Sequence, residues 1–223
     1  MNHQQNQPEI LESIIRARKT DKITCAIKDR RPVPAEIQLE YNKIVLHSLE
    51  VAGWAPFHYP SNDKNIQEPW RAYALWDDDV SGLLRELTNK DRFRQSKLQQ
   101  LTAACSALVL VTWIPEDRMD IKDENKTKIN EENLAATAAM VQNFLLMLTA
   151  HGMSNYWSSG GDLGKPQVFK LLGIPDGQRL MAAVFIEYKE MNQLQASRTC
   201  APGKHRDKRS TRWIQPGLIK SEA

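Results

Sequence analysis

Residues 131–152, EENLAATAAMVQNFLLMLTAHG, decide the architecture. Apolar residues surround this stretch: Ala135, Ala136, Ala138, Ala139, Met140, Val141, Phe144, Leu145, Leu146, Met147 and Leu148. The pattern predicts the longest helix of the chain over residues 131–151. Gly152 is its stop signal, because a residue without Cβ accepts the left-handed turn that closes a helix. A helix apolar on most faces must be covered on most faces, inside a domain or against a partner.

The flanks supply what covers it. Residues 106–114 and 180–188 are continuous apolar runs of buried-strand length,. Residues 71–76 read as a third strand, ending in Asp77, Asp78 and Asp79. Ile37, Tyr41, Ile44, Val45, Leu49 and Ala52 set a helix over 35–54, and Ile10, Ile14 and Ile15 a short amphipathic one over 9–17,. Residues 83–104 are expected to be mostly helical. Pro166 opens a short helix that closes at Gly173,. Residues 55–70, 115–130 and 155–164 read as loops, rich respectively in proline, in charges and amides, and in glycine and serine,. Strands separated by helices imply a layered α/β or α+β structure around one sheet.

The chain has 223 residues, with 30 Lys+Arg against 27 Asp+Glu, a formal net charge of +3. Hydrophobic residues are 41 % and charged residues 26 %, which excludes low-complexity disorder and collagen. Cys25, Cys105 and Cys200 are odd in number and far apart, so no disulfide framework or zinc knuckle is indicated,. The five histidines show no metal-ligand spacing,. No apolar run approaches the roughly 18–20 residues of a bilayer crossing. The first nine residues are polar, unlike a secretion signal, so a reducing cytoplasm is expected.

The small net charge conceals an asymmetry. Residues 16–31 carry seven basic and two acidic side chains, and residues 198–212 carry six and one; each segment is +5, and the remainder is −7. Nucleic acid, a membrane surface or a phosphorylated small molecule could each attract such ends. Within them, Arg18-Lys19-Thr20-Asp21-Lys22 and Lys204-His205-Arg206 offer cations and a hydroxyl suited to phosphate,. Trp157-Ser158-Ser159-Gly160-Gly161 lets a ligand approach the backbone,. The loop from Ala55-Pro56-Phe57-His58 to Asn65-Ile66-Gln67-Glu68-Pro69-Trp70 mixes amides and aromatics, which suits a flat heteroaromatic ring. Each of these segments also has an ordinary structural reading. No GxGxxG or P-loop is present,.

In this order, the segments resemble the FMN-dependent nitroreductase family. Its members begin with a helix and an Arg-Arg-Ser-type phosphate motif, here Arg18-Lys19-Thr20-Asp21-Lys22. An Ala-Pro-Ser…Asn-x-Gln-Pro-Trp stretch follows, here Ala55-Pro56-Phe57…Asn65-Ile66-Gln67-Glu68-Pro69-Trp70. The central helix with Gln142-Asn143-Phe144, the glycine loop at 157–161, Leu172-Gly173-Ile174-Pro175 and Lys204-His205-Arg206 complete the likeness, which runs from about residue 9 to residue 214.

The resemblance implies an α+β, three-layer fold over residues 1–223, with a central, mostly antiparallel sheet flanked by helices and flexible ends at 1–8 and 215–223. It implies a homodimer with FMN bound at the interface. Arg18, Lys19, Thr20, Lys22, Lys204 and Arg206 would hold the phosphate and ribityl chain. Trp157, Ser158, Ser159 and Gly160 would lie along the isoalloxazine. Pro56, Phe57, His58, Asn65 and Gln67 would reach the flavin of the opposite subunit. NAD(P)H is the implied co-substrate and a nitroaromatic, a quinone or a similar electron-poor small molecule the acceptor, in ping-pong hydride transfer. No catalytic side chain, metal, nucleic acid or membrane is expected.

Four departures concern the pocket. Phe57 replaces a Ser, the loop before Asn65 is longer, Glu68 splits Gln-Pro-Trp, and Glu187 stands where a Gly is usual. They leave open other flavin chemistries, namely a dehydrogenase, dehalogenase or flavin-fragmenting enzyme. From a different class, a basic nucleic-acid-binding module would explain the charged ends but not the loops between them.

Overall fold

The computed structural model describes residues 6–61, 65–89, 91–193 and 197–202. Its centre is a sheet of four strands, β2 (Trp70–Leu75), β3 (Ala107–Trp113), β4 (Ser154–Ser158) and β5 (Arg179–Glu187), in the order β2-β3-β5-β4. Every neighbouring pair is antiparallel, with Trp70 opposite Trp113, Val109 opposite Val184, and Tyr156 opposite Phe185. The α+β expectation is met.

Helices cover both faces, which is why β3 is apolar without alternation. Val109 and Val111 face α2 (Ala35–Ala52) and α5 (Asp123–Ala150), among Val45, Ala52, Met140, Val141, Phe144 and Leu148. Leu108 and Leu110 face the other way, among Val80, Leu83, Leu98, Leu101 and Phe169. Those residues belong to α3 (Asp77–Leu87), α4 (Lys97–Ala104) and α6 (Pro166–Leu171). At about 25 cal/mol per Å², such two-sided burial is the main stabilising term. The helix α5 is also long and apolar enough to cross a membrane. Here Met140, Val141, Phe144, Leu145 and Leu148 are buried in the core, while Leu134 is exposed.

Three boundaries differ from the sequence reading. The helix α5 starts at Asp123, so half of the expected 115–130 loop is helical. Asp123 and Glu124 in its first turn complement the helix dipole,. The glycine-serine stretch begins as the strand β4, because half-buried Tyr156 and Trp157 pair with β5 before the glycines end it. The 83–104 region splits in two: Asp77, Asp78 and Asp79 open α3, and Ser96 caps α4. Ser96 Oγ accepts from Leu98 N at 3.2 Å, while Gln99 Oε1 accepts from Ser96 N at 2.9 Å,.

The two ends of the described chain meet. After α1 (Gln7–Ala17), strand β1 (Asp21–Thr24) pairs antiparallel with β6 (Thr199–Pro202), placing Asp21 opposite Pro202 and Thr24 opposite Thr199. Thr24 and Thr199 hydroxyls share a 2.8 Å hydrogen bond, and Ala26 N donates to Ser197 Oγ at 2.8 Å.

Candidate functional site

The basic segment after α1 alternates by strand geometry. Asp21 and Ile23 are buried, whereas Lys22 and Thr24 are half-buried on the other side,. Lys22 Nζ stands 5.4 Å from the centroid of the Tyr156 ring in β4, a cation–π distance. The Tyr156 ring stacks on Phe185 at 6.1 Å. Lys22 and the strand that leads into the 157–160 loop are thus brought together. Arg18 and Thr20 are half-buried and Lys19 is exposed. Lys19 Nζ lies 3.6 Å from Asp21 Oδ1, an acidic neighbour that the charge count conceals.

A cavity of about 250 Å³ opens beside this segment, lined by Ala17, Lys19, Asp21, Thr149 and the chain at 152–155. Asn155 contributes a buried Oδ1 that has no hydrogen-bond partner among the described residues. Its Nδ2 donates to Met153 O at 3.1 Å and Thr149 Oγ1 at 3.4 Å. A donor brought into this cavity would satisfy that acceptor.

In the loop after β4, Ser158 Oγ accepts from Gly160 N at 3.1 Å. Gly160 has φ 86, and a Cβ there would lie 2.3 Å from Leu180 Cδ2. Only glycine combines that backbone angle with contact to β5. Trp157 packs against the α2/α5 core, Ser158 is half-buried and Ser159 is exposed.

The 55–67 loop lies elsewhere. Phe57 meets Trp70 edge-on at 5.6 Å, Ser61 N donates to Gln67 O at 2.7 Å, and His58 Nδ1 is 3.7 Å from Glu132 Oε2. Pro56, Asn65 and Gln67 are exposed. Glu132 and Thr149 are both on α5. At ~1.5 Å per residue, their 17-residue separation is about 25 Å of helix. Within one chain, therefore, the amide loop and the basic segment lie beside points of α5 about 25 Å apart,. Lys204 and Arg206 lie outside the described residues.

Glu187, in the position where a glycine was anticipated, is 2 % exposed and gripped by Arg198. Desolvation holds its pKa above the usual glutamate value, outweighing the lowering by Arg198,. The sequence reading did not single out Glu187, Arg198, Asn155 or Tyr156 as site residues. Arg198 counted only as one of several tail cations, and a lone Tyr in a stretch read as a glycine-serine loop carries no signal.

A sequence model described as the Nitroreductase family matches residues 29–186. The Arg18–Lys22 motif and β6 lie outside that span. The Bacillus subtilis (strain 168) protein named "Putative NAD(P)H nitroreductase YfhC" is 25 % identical over 194 residues, covering 83 % of this chain and 87 % of that one. The crystal structure of a nitroreductase-like family protein from Bacillus cereus matches with a TM-score of 0.54 and 23 % identity, covering 80 % of this chain and 84 % of the other. Iodotyrosine deiodinase, solved with FMN and 3-iodo-L-tyrosine, matches with a TM-score of 0.50 and 16 % identity over 96 % of each chain. The two structural likenesses show a shared fold.

Proposed function

Because this chain belongs to the nitroreductase family, we propose that it is a homodimeric, FMN-dependent oxidoreductase. It takes hydride from NAD(P)H and passes it, in a ping-pong cycle, to a nitroaromatic, a quinone or a similar electron-poor acceptor. The observation that carries this reading is the meeting of Lys22 with Tyr156 of β4 while the C-terminal strand ends opposite Asp21. That meeting supports one small phosphate site built from both basic ends, and the unsatisfied Asn155 Oδ1 fits a polar ligand beside it.

When bound, FMN supplies the hydride chemistry. The protein's part is to bind, orient and exclude water. Arg18, Thr20 and Lys22, with Lys204 and Arg206, hold the phosphate and ribityl chain. Lys19 contributes less, because Asp21 already occupies it. The backbone at 157–160 would lie along the ring, held in place by the contact of Gly160 with Leu180 of β5. Pro56, Phe57, His58, Asn65 and Gln67 serve the site of the opposite subunit, which accounts for their distance from the basic segment of their own chain. Exposed Ile10, Leu11, Ile15, Leu39, Leu46 and Leu134 on α1, α2 and α5 are the apolar surface such a dimer would cover,. No side chain is assigned as nucleophile, acid or base.

A second reading keeps the cofactor and changes the acceptor chemistry. Phe57 packs on Trp70 in the place of the family's Ser, so the loop offers no hydroxyl there.

The test is the visible spectrum of the purified protein, followed by anaerobic addition of NADH or NADPH. Flavin bands that bleach are expected. A protein that neither carries nor takes up FMN contradicts the reading; flavin that does not bleach favours the second reading.

A further inference from the structure

The strands β1 and β6 form a two-stranded ribbon separate from the central sheet. Two paired strands of four residues are marginal by themselves,, so the ribbon must be fixed to the body of the protein. Ile23 seats β1, buried in a cluster with Cys25, Leu84, Ala103 and Ala104. β6 has no such seat, because Thr199, Cys200 and Ala201 are exposed.

The tie of β6 is the residue that precedes it. Arg198 donates from Nε to Glu187 Oε1 and from Nη2 to Glu187 Oε2, each at 2.9 Å. Ser197 adds one bond, its Oγ accepting from Ala26 N at 2.8 Å. Glu187 ends β5 and is 2 % exposed, so the point of attachment is buried at the edge of the core. A glycine at that position would offer no side chain to hold.

The same pair acts on β1. Asp21 and Glu187 are both buried and line one gap of about 10 Å³, together with Ser154 and Phe185. Two carboxylates beside one gap repel each other, and Arg198 supplies the cation that offsets them. Lys22 follows Asp21 and turns to the other side of β1, 5.4 Å from the Tyr156 ring. A displacement of Asp21 therefore carries Lys22 with it.

Granted the FMN site proposed for this chain, we infer that Glu187 and Arg198 are positioning residues for the cofactor phosphate. They hold the β1–β6 ribbon so that Lys22 meets the phosphate, without touching the ligand themselves. Field strength alone would act differently. Arg198→Ala removes a positive charge and Glu187→Gln removes a negative one, so a pure field effect would weaken phosphate binding in the first and strengthen it in the second. Positioning weakens it in both.

The test is fluorescence titration of the FMN-free full chain with FMN and with riboflavin. Wild type should prefer FMN at least about tenfold. Arg198→Ala and Glu187→Gln should each cut that preference about three- to tenfold, with riboflavin affinity changed by less than about twofold, as suits one charge-assisted bond. The double variant should lose no more than the worse single one, since both remove the same tie. Arg198→Lys keeps the charge but not the planar fork, and should recover only part. Leu87→Ala, a fully buried position on α3, destabilises the core and should keep the full preference. Unfolding midpoints are measured for every variant; if Arg198→Ala unfolds, Glu187→Gln and Arg198→Lys decide. A preference unchanged or raised in Glu187→Gln, or lost equally in Leu87→Ala, would overturn the positioning role alone. Equal affinity of wild type for FMN and riboflavin would overturn the phosphate site with it.

Discussion

Arg198 grips Glu187 with two parallel bonds, Nε to Oε1 and Nη2 to Oε2, each 2.9 Å. The pair joins the last residue of β5 to the segment that leads into β6, so a buried carboxylate is the anchor of the C-terminal strand. Arg198 immediately precedes Thr199, the first residue of β6, which pairs with β1.

Arg198→Ala leaves Glu187 buried without its partner. With Arg198 side-chain exposure of 23 %, the loss should be about 2–3 kcal/mol, somewhat below a fully buried pair, read from urea denaturation. The pH dependence has a definite sign. Burial raises the folded pKa of Glu187, so the folded state binds the proton more tightly than the unfolded one. This contribution to stability is full below the ordinary glutamate value and is lost as pH rises through the raised folded value. Glu187→Gln should remove that slope, and an unchanged slope would assign it to another group.

Arg30 caps a second junction. It donates to the carbonyls of Thr102, Ala103 and Cys105 at the end of α4, and pairs with Asp77 Oδ1 at 2.7 Å at the start of α3. Arg30→Ala should cost about 3–5 kcal/mol in the same denaturation experiment. Arg30→Lys should recover only part, because an ammonium cannot reproduce the planar fork.

Gly160→Ala should destabilise by about 1–3 kcal/mol through its positive φ and its contact with Leu180,. Gly161, with φ 54 and open space around it, should lose only the backbone part. Thermal unfolding of Gly160→Ala with and without Leu180→Ala separates the two: a less-than-additive loss is expected.

Burial pushes the Cys25 thiol up to about 11 and the Cys105 thiol up to about 12. Cys200 is exposed. Mild alkylation of the native protein followed by peptide mass spectrometry should therefore mark Cys200 first, with Cys25 and Cys105 reacting only on unfolding.

The sequence made the layers legible because β3, β5 and α5 are apolar in runs that only two-sided burial explains. It missed β4, whose residues look like the start of a loop until Tyr156 and Trp157 pair with β5. It also missed the first turns of α5, where 115–130 is too polar to reveal helical periodicity. The basic motif was visible as charge, but its meeting with Tyr156 arises from pairing between distant strands. Glu187 and Arg198 are eleven residues apart, and nothing local announces their bond.

The central claim is that the basic segment at 18–22 holds the phosphate of FMN. Its most direct test is fluorescence titration of FMN-free protein with FMN and with riboflavin. Wild type should bind one FMN per chain and bind riboflavin at least about tenfold more weakly, because charge-assisted bonds to phosphate are lost. The Arg18→Ala, Lys22→Ala double variant should keep its fold and lose that preference. Equal affinity for both ligands in wild type, or an FMN preference unchanged in the double variant, would contradict the account.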